Sequence, residues 1–265
     1  MNEPSLSQTI SLLSPTSQEP IGQVSMQWSL DTRQVVILDL KTRCDEIAVT
    51  CIAGALVNIL KESLSSTYGS AVCWPHHADH SLSVILKAAG FTQAGLFMQR
   101  KAFSEDGQVA FRDLDEAQLN HYLNTHAHKM AAIAAEFHHH NVDMVYAKIR
   151  EDYEKRFSVG LISDEERIQC IVDNKNGNQV GILWTSLHQE GAVRASFIEE
   201  IEIYEESRNR GYGQKAVRAI GNVSYGRRID VLSLFVHPDN IPACNLYRKL
   251  GFQPGRFEFV YKKPR

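Results

Sequence analysis

No apolar run in this chain of 265 residues approaches the roughly 20 residues that a bilayer-spanning helix needs. Met1–Pro20 has neither a basic start nor an apolar stretch, so it does not read as a signal peptide. Rich in Ser, Thr, Gln and Pro, residues 1–20 read instead as a disordered lead-in. Charge of one sign is not in excess: a net charge of -3 gives no reason to expect nucleic acid or an anionic membrane as partner. Cysteine is sparse, and its five positions (Cys44, Cys51, Cys73, Cys170, Cys244) are scattered and odd in number. That excludes a disulfide framework and predicts free thiols in a reducing, cytoplasmic compartment. A P-loop Gly-Lys-Ser/Thr is absent, and no Ser–His–Asp or Cys–His arrangement stands out. Cys73, His76, His77 and His80 are loosely spaced like metal ligands but have no second ligand pair. The run His138-His139-His140, on a helix, would point its rings about 100° apart, so it cannot close on one ion and reads as a solvated helix end. No metal is expected.

What the chain does have is ordinary globular composition, 43% hydrophobic and 22% charged, and length enough for two units. Its most informative stretch is Ser207–Gly213, Ser-Arg-Asn-Arg-Gly-Tyr-Gly. A strand-like segment, Phe197–Tyr204, precedes it and a helix-like segment, Gln214–Val223, follows. A glycine turn between a strand and a helix N-terminus gathers backbone N–H groups into one space, where the helix dipole adds partial positive charge. Gly211 and Gly213 let the main chain approach a phosphate where a Cβ would collide. Arg208 and Arg210 add charged donors. The turn therefore reads as a pyrophosphate cradle for a nucleotide-bearing cofactor, against the alternative of an ordinary tight turn. A dinucleotide fingerprint would need a third glycine, and position 216 is Ala216.

The spacing Arg208-x-x-Gly211-x-Gly213 resembles the acetyl-CoA turn of the GNAT superfamily of acyl-CoA N-acyltransferases. A second block, Asn240-x-x-Ala243-x-x-Leu246-Tyr247-Arg248-Lys249-Leu250-Gly251-Phe252, is similar to that family's later strand-to-helix segment, in the right order and at the right separation. The resemblance runs from about Ala110 to the C-terminus. It implies an α/β (α+β) fold with a mixed, mostly antiparallel sheet and flanking helices. It also implies acetyl-CoA as co-substrate and an amine acceptor, small molecule or polypeptide, with no metal in the reaction. The state would be monomer or homodimer.

Residue by residue, the resemblance gives cofactor binding to Arg208, Asn209, Arg210, Gly211, Tyr212, Gly213 and Gln214 at the turn. Backbone groups of Ile201, Glu202 and Ile203 would hold the pantetheine arm like an added strand, and Asn240 and Tyr247 would contact the cofactor from the second block. Glu202 matches a frequent general-base position. Strand alternation places Glu200 and Glu202 on one face, with Ile201 and Ile203 on the other. Paired carboxylates on one face raise each other's proton affinity, which suits a base near neutral pH. The alternative is a solvated acidic strand face. Tyr247 matches the tyrosine that protonates the leaving thiolate in many relatives, against the alternative of a tyrosine packed in an amphipathic helix. His237 is a secondary base candidate. Relatives that acetylate protein N-termini carry a glutamate five residues before the asparagine, where this chain has Phe235.

The upstream half repeats the order of elements: strands at Ile21–Leu30 and Gln34–Lys41, helix Asp45–Leu64, strand Ala71–Trp74, helix His80–Ala89, then Gly90-Phe91. Leu86–Phe91 lies over Tyr247–Phe252. Residues 21–105 are thus expected to be a truncated, degenerate GNAT-like copy, and 110–265 the catalytic domain. The first copy has Lys41-Thr42-Arg43-Cys44-Asp45-Glu46 in place of the glycine turn, Leu86 for Tyr247 and Asp79 for Asn240. Two further readings stay open: a CoA-binding sensor or interaction module without transferase activity, and a pseudoenzyme that binds no cofactor.

Overall fold

The computed structural model describes residues 6–29, 34–42, 49–64, 69–138, 141–157 and 166–262. They form two compact units: Met1–Phe97 with His237–Asp239 and Pro254–Arg265, and Met98–Val236 with Asn240–Gln253.

In the first unit, β1 (Leu6–Leu13), β2 (Pro20–Ser29) and β3 (Gln34–Thr42) form an antiparallel meander. Helix α1 (Val49–Ser63) carries the chain over to β4 (Ser70–Cys73), which pairs with β3 in parallel, as a crossover helix allows. Helix α2 (His80–Ala88) and the start of β5 (Thr92–Lys101) follow. The core gathers Leu12, Val24, Met26, Leu56, Leu60 and Leu86. Strand β1 corrects the reading of residues 1–20 as a disordered lead-in. Leu12 is fully buried and Ile10 half-buried, while Thr9, Ser11 and Leu13 face out. An edge strand with one solvated face has the polar composition that, taken without its period of two, resembles disorder.

The second unit is built from β6 (Val109–Asp113), α3 (Glu116–His138), α4 (Val142–Arg156), β7 (Glu166–Asp173), β8 (Gln179–Glu190), β9 (Val193–Ile203), α5 (Tyr212–Gly226), β10 (Val231–Val236) and α6 (Ile241–Lys249). Strands β6 to β9 are successively antiparallel, and β10 joins β9 in parallel. Each unit thus has a mostly antiparallel sheet with one parallel pair and flanking helices, the fold class the sequence implies. Helix α3 runs unbroken from Glu116 to His138. Ala127, His128 and Lys129 include no Pro or Gly, so nothing interrupts the ladder. Asn141 opens α4 as its N-cap, its Oδ1 accepting the N–H of Asp143 at 2.8 Å and of Met144 at 3.2 Å.

The two units share more than strand order. Helices α2 and α6 are both nine residues long, capped by Asp79 and by Asn240. Both close on a left-handed glycine, Gly90 at φ 87° and Gly251 at φ 82°. The Phe91 N–H then donates to Leu86 O, and the Phe252 N–H to Tyr247 O. The last strand breaks the simple division at 110–265. β11 (Gln253–Lys262) belongs with the first unit, pairing antiparallel with β4 from Phe259↔Cys73 to Lys262↔Ser70. The end of β5, from Met98 on, falls in the second unit, where the Ala102 N–H donates to Asp230 O at 2.9 Å.

Candidate active site

The parallel pair of the second unit opens partway along its length. β9 and β10 pair from Ala195↔Val231 to Ile198↔Leu234, and Glu199–Ile203 run on with no β10 partner. The Tyr204 N–H donates to Val180 O at 3.0 Å, which fixes the parity of the β8–β9 ladder. Residue 202 therefore turns its main-chain groups toward β8, and residues 201 and 203 turn theirs toward the open edge. Ile201 and Ile203 thus turn main-chain groups to an edge that β10 leaves unpaired, although the Ile203 carbonyl accepts from Arg208. Glu202 does not, because its backbone is taken up by β8.

The glycine turn stands at the end of that edge. The chain leaves β9 through a single 3-10 turn, Glu205–Ser207, passes Asn209 at φ 60°, and reaches Gly211 at φ 79°. These left-handed positions suit Asn and Gly, which tolerate φ > 0. Gly211 is the N-cap of α5 and offers no side chain to it. The first intrahelical bond runs from Lys215 N–H to Gly211 O, so the N–H groups of Tyr212, Gly213 and Gln214 stand ahead of the ladder. Helix α5 begins at Tyr212, two residues before the sequence places it. At Gly213 an added Cβ would meet Leu246 of α6 at 3.4 Å, so glycine also keeps the two helices close.

Two side chains of the turn depart from a simple cradle. Arg208 folds back, its Nε–H donating to Ile203 O at 3.0 Å. Tyr212 is buried, and its hydroxyl donates to Asp173 Oδ2 at 2.7 Å. Only the backbone of Tyr212 is therefore left at the turn; its ring ties the turn to the β7–β8 hairpin. Arg210 is exposed.

The acidic segment is not a simple alternating strand. Trp184 pairs with Glu200 and Thr185 with Ile198, leaving Glu199 as the extra residue of a β-bulge. The bulge is filled from α4 and the neighbouring strand: Arg156 Nη2 and Ser186 Oγ each donate to Glu199 Oε1 at 2.7 Å. Glu200 is held from α3, with Lys129 Nζ 2.7 Å from Oε1 and His126 Nε2 3.1 Å from Oε2. His126 in turn has Nδ1 2.6 Å from Tyr153 Oη. Burial raises the Glu200 pKa, but the hydrogen bonds from His126 and Lys129 outweigh it and hold the carboxyl at about 2. A group so firmly ionised is a poor proton acceptor, so Glu200 is corrected from base candidate to anchored anion. Glu202 is not among the groups that shift it.

This depression links Glu200 to stability. The folded pKa lies below the ordinary value of 4.5, so the stabilisation is present above pH 4.5 and lost as pH falls toward 2. With Lys129 half-exposed and screened, the contribution is on the order of 2 kcal/mol. Glu200→Gln is expected to lower the thermal midpoint at pH 7 by several degrees and to narrow the gap to wild type as pH falls toward 2, read by calorimetry across that window.

Glu202 is the acid left free, with no hydrogen bond or ion pair among the described residues. It borders a cavity of about 330 Å³ between α3 and the ends of β8 and β9, with Gln118, His121, Tyr122, Gln179 and Tyr204 around it. Tyr247, on α6, is half-buried. Burial, followed by the charge of Glu200 and the Cys244 thiol, pushes its phenol up to about 12. Asn240 spends its Oδ1 on the Ala243 N–H at 3.2 Å, so it is first a helix cap. His237 groups with the first unit, its Nδ1 2.9 Å from Ala94 O. Of the histidine run, His139 and His140 lie outside the described residues, as do Arg43, Cys44, Asp45 and Glu46 of the first copy. The residues sequence reasoning missed, His126, Lys129, Arg156 and Asp173, lie far along the chain from what they hold. The one local sign is that His126 and Lys129, three apart on α3, share a helix face.

The chain's likeness to known proteins agrees with this geometry. Residues 127–252 match the acetyltransferase (GNAT) family. An uncharacterized N-acetyltransferase of Bacillus subtilis, YycN, is 35% identical over 74 residues, 28% of this chain and 47% of that protein. The match thus spans about half the length of the curated relative. Among solved structures, a GCN5-related N-acetyltransferase from Sphaerobacter thermophilus superposes with a TM-score of 0.52 at 12% identity, covering 97% of this chain and 81% of that one. A functionally unknown conserved protein from Staphylococcus epidermidis gives 0.53 at 14%, covering 96% of each chain. At such identities the likeness is one of fold. The likeness to the acetyltransferase (GNAT) family is thus carried by residues 127–252, just under half of the chain.

Proposed function

We propose that the second unit transfers an acetyl group from acetyl-CoA to a primary amine by direct attack. The observation that carries this reading is the uncapped start of α5. Three main-chain N–H groups have no partner among the described residues, behind a left-handed glycine at the end of a strand edge that β10 leaves open. That combination suits a diphosphate followed by an extended amide-bearing arm. The diphosphate would sit on the N–H groups of Tyr212–Gln214, with Arg210 and Asn209 beside it. The pantetheine would add to the edge at Ile201 and Ile203, one N–H of which polarises the thioester carbonyl.

The amine nitrogen attacks the carbonyl carbon, the C–N bond forms, and the C–S bond breaks. The amine proton goes to Glu202, directly or through water. Tyr247 gives its proton to the departing thiolate. Glu199 and Glu200, held by Arg156 and by Lys129 with His126, are not available for this duty. The first unit is, in this reading, a copy of the same fold that has lost the glycine turn. Cys51, Cys73, Cys170 and Cys244 are in no disulfide, which suits a cytoplasmic setting.

The test is thiol release from acetyl-CoA in the presence of a panel of primary amines. Glu202→Gln is expected to lower kcat/KM at least tenfold with CoA affinity unchanged by calorimetry. Equal kcat/KM in the variant removes Glu202 as the base. Binding of CoA without thiol release from any amine favours the sensor reading instead.

A further inference from the structure

The cavity beside Glu202 is more specific than the reading above requires. Its boundary offers one carboxylate, no Lys or Arg, and several uncharged groups with spare hydrogen-bonding capacity. Gln118 spends its Oε1 on the Asp115 N–H in a reciprocal helix cap, which leaves its amide NH2 unpaired. Gln179 donates through Nε2 to Tyr204 Oη, which leaves the Gln179 carbonyl oxygen and the Tyr204 hydroxyl proton. Thr125 donates to His121 O at 2.9 Å and keeps its lone pairs. Tyr122 borders the cavity, but its hydroxyl is buried away from the accessible space, with no partner among the described residues.

We infer that this cavity is the acceptor site and that it takes a compact primary amine carrying hydroxyl groups and no acidic group, such as an amino alcohol or an amino sugar. The inference rests on the transferase reading and narrows it. The amino group belongs at Glu202, the sole carboxylate among the described residues bordering the cavity. The hydroxyls match the mixed donors and acceptors of Gln118, Thr125, Gln179 and Tyr204. An acceptor bearing a carboxylate or phosphate meets no Lys or Arg here and is repelled by Glu202. The volume, about 330 Å³, lies at the small end of ligand sites, which suits a single small molecule rather than a polypeptide segment. A site built to hydrogen-bond hydroxyls rejects analogues that lack them far more strongly than an apolar pocket rejects one extra methylene.

The experiment compares the full chain, saturated with acetyl-CoA, on four acceptors: ethanolamine, an aminohexose, a free α-amino acid, and a short peptide with a free N-terminus. The first two are expected to give kcat/KM at least tenfold above the last two. Tyr204→Phe, which removes one hydroxyl, is expected to raise KM for the aminohexose about tenfold with kcat within twofold. Thr125→Val is expected to do the same, and a circular dichroism melt near wild type certifies the fold of each. Thiol release that is as fast with the amino acid or the peptide overturns the inference and leaves the transferase reading standing. So does an unchanged KM in both folded variants. CoA binding with no thiol release from any of the four also overturns the inference. Failure to bind CoA at all is the distinct result that brings down the transferase reading beneath it.

Discussion

Tyr247→Phe is expected to lower turnover at least tenfold while CoA affinity stays within about twofold. The argument is a proton balance. A leaving thiolate has an ordinary pKa near 8.5, and the Tyr247 phenol, pushed up to about 12 by burial and then by Glu200 and Cys244, holds its proton throughout the working range. It is therefore present as an acid at every pH at which the fold is sound. Because its folded pKa is raised, the protonated form is lost only as pH climbs through about 12. No falling limb in kcat between pH 7 and 10 should trace to this residue. Phenylalanine keeps the ring against Phe252 and removes only the hydroxyl. Full turnover in Tyr247→Phe would take this residue out of the mechanism. A large loss of CoA affinity would make it a packing residue of the cofactor site.

Gly211→Val is expected to weaken CoA binding about a hundredfold or more. Gly211 sits at φ 79°, where a β-branched residue is a strong outlier. The strain is relieved by turning the peptide, and the same peptide sets the direction of the N–H groups that open α5. No atom lies within 4 Å of an added Cβ at this position, so steric crowding does not cloud the result. Gly226 near the far end of α5 also has open space around it and has no positive φ. Gly226→Ala is the matched control and should leave CoA affinity unchanged. Isothermal calorimetry of the two variants separates the direction of the cap from a general loosening of the helix.

Much of this was readable from the residues alone, for identifiable reasons. Local signals survive folding: the strand expected at Gln34–Lys41 is found at Gln34–Thr42, and the helix expected at His80–Ala89 at His80–Ala88. The turn before α5 was legible because its chemistry is written in consecutive residues. What could not be read depends on contacts distant in sequence. One extra residue at Glu199 breaks the period of two, and nothing in Ile198–Ile203 announces a bulge. Consequently Glu199 is drawn to Arg156, 43 residues away in sequence. Glu200 looks like a base beside Glu202 until His126 and Lys129 arrive from α3, more than 70 residues upstream. The burial of Tyr212 against Asp173 was hidden because a tyrosine within a glycine turn reads as a ligand contact. The C-terminal strand belongs with the first unit although the sequence repeat puts it at the end of the second, because pairing follows strand edges rather than chain order.

The most direct test of the central claim is a crystal structure of the full chain soaked with CoA. The account predicts the diphosphate oxygens within hydrogen-bond distance of the Tyr212, Gly213 and Gln214 N–H groups. It also predicts the pantetheine amides paired with Ile201 and Ile203, and the sulfur near Tyr247. CoA bound elsewhere, or a turn closed by its own side chains with Arg208 unmoved across the edge, would contradict it.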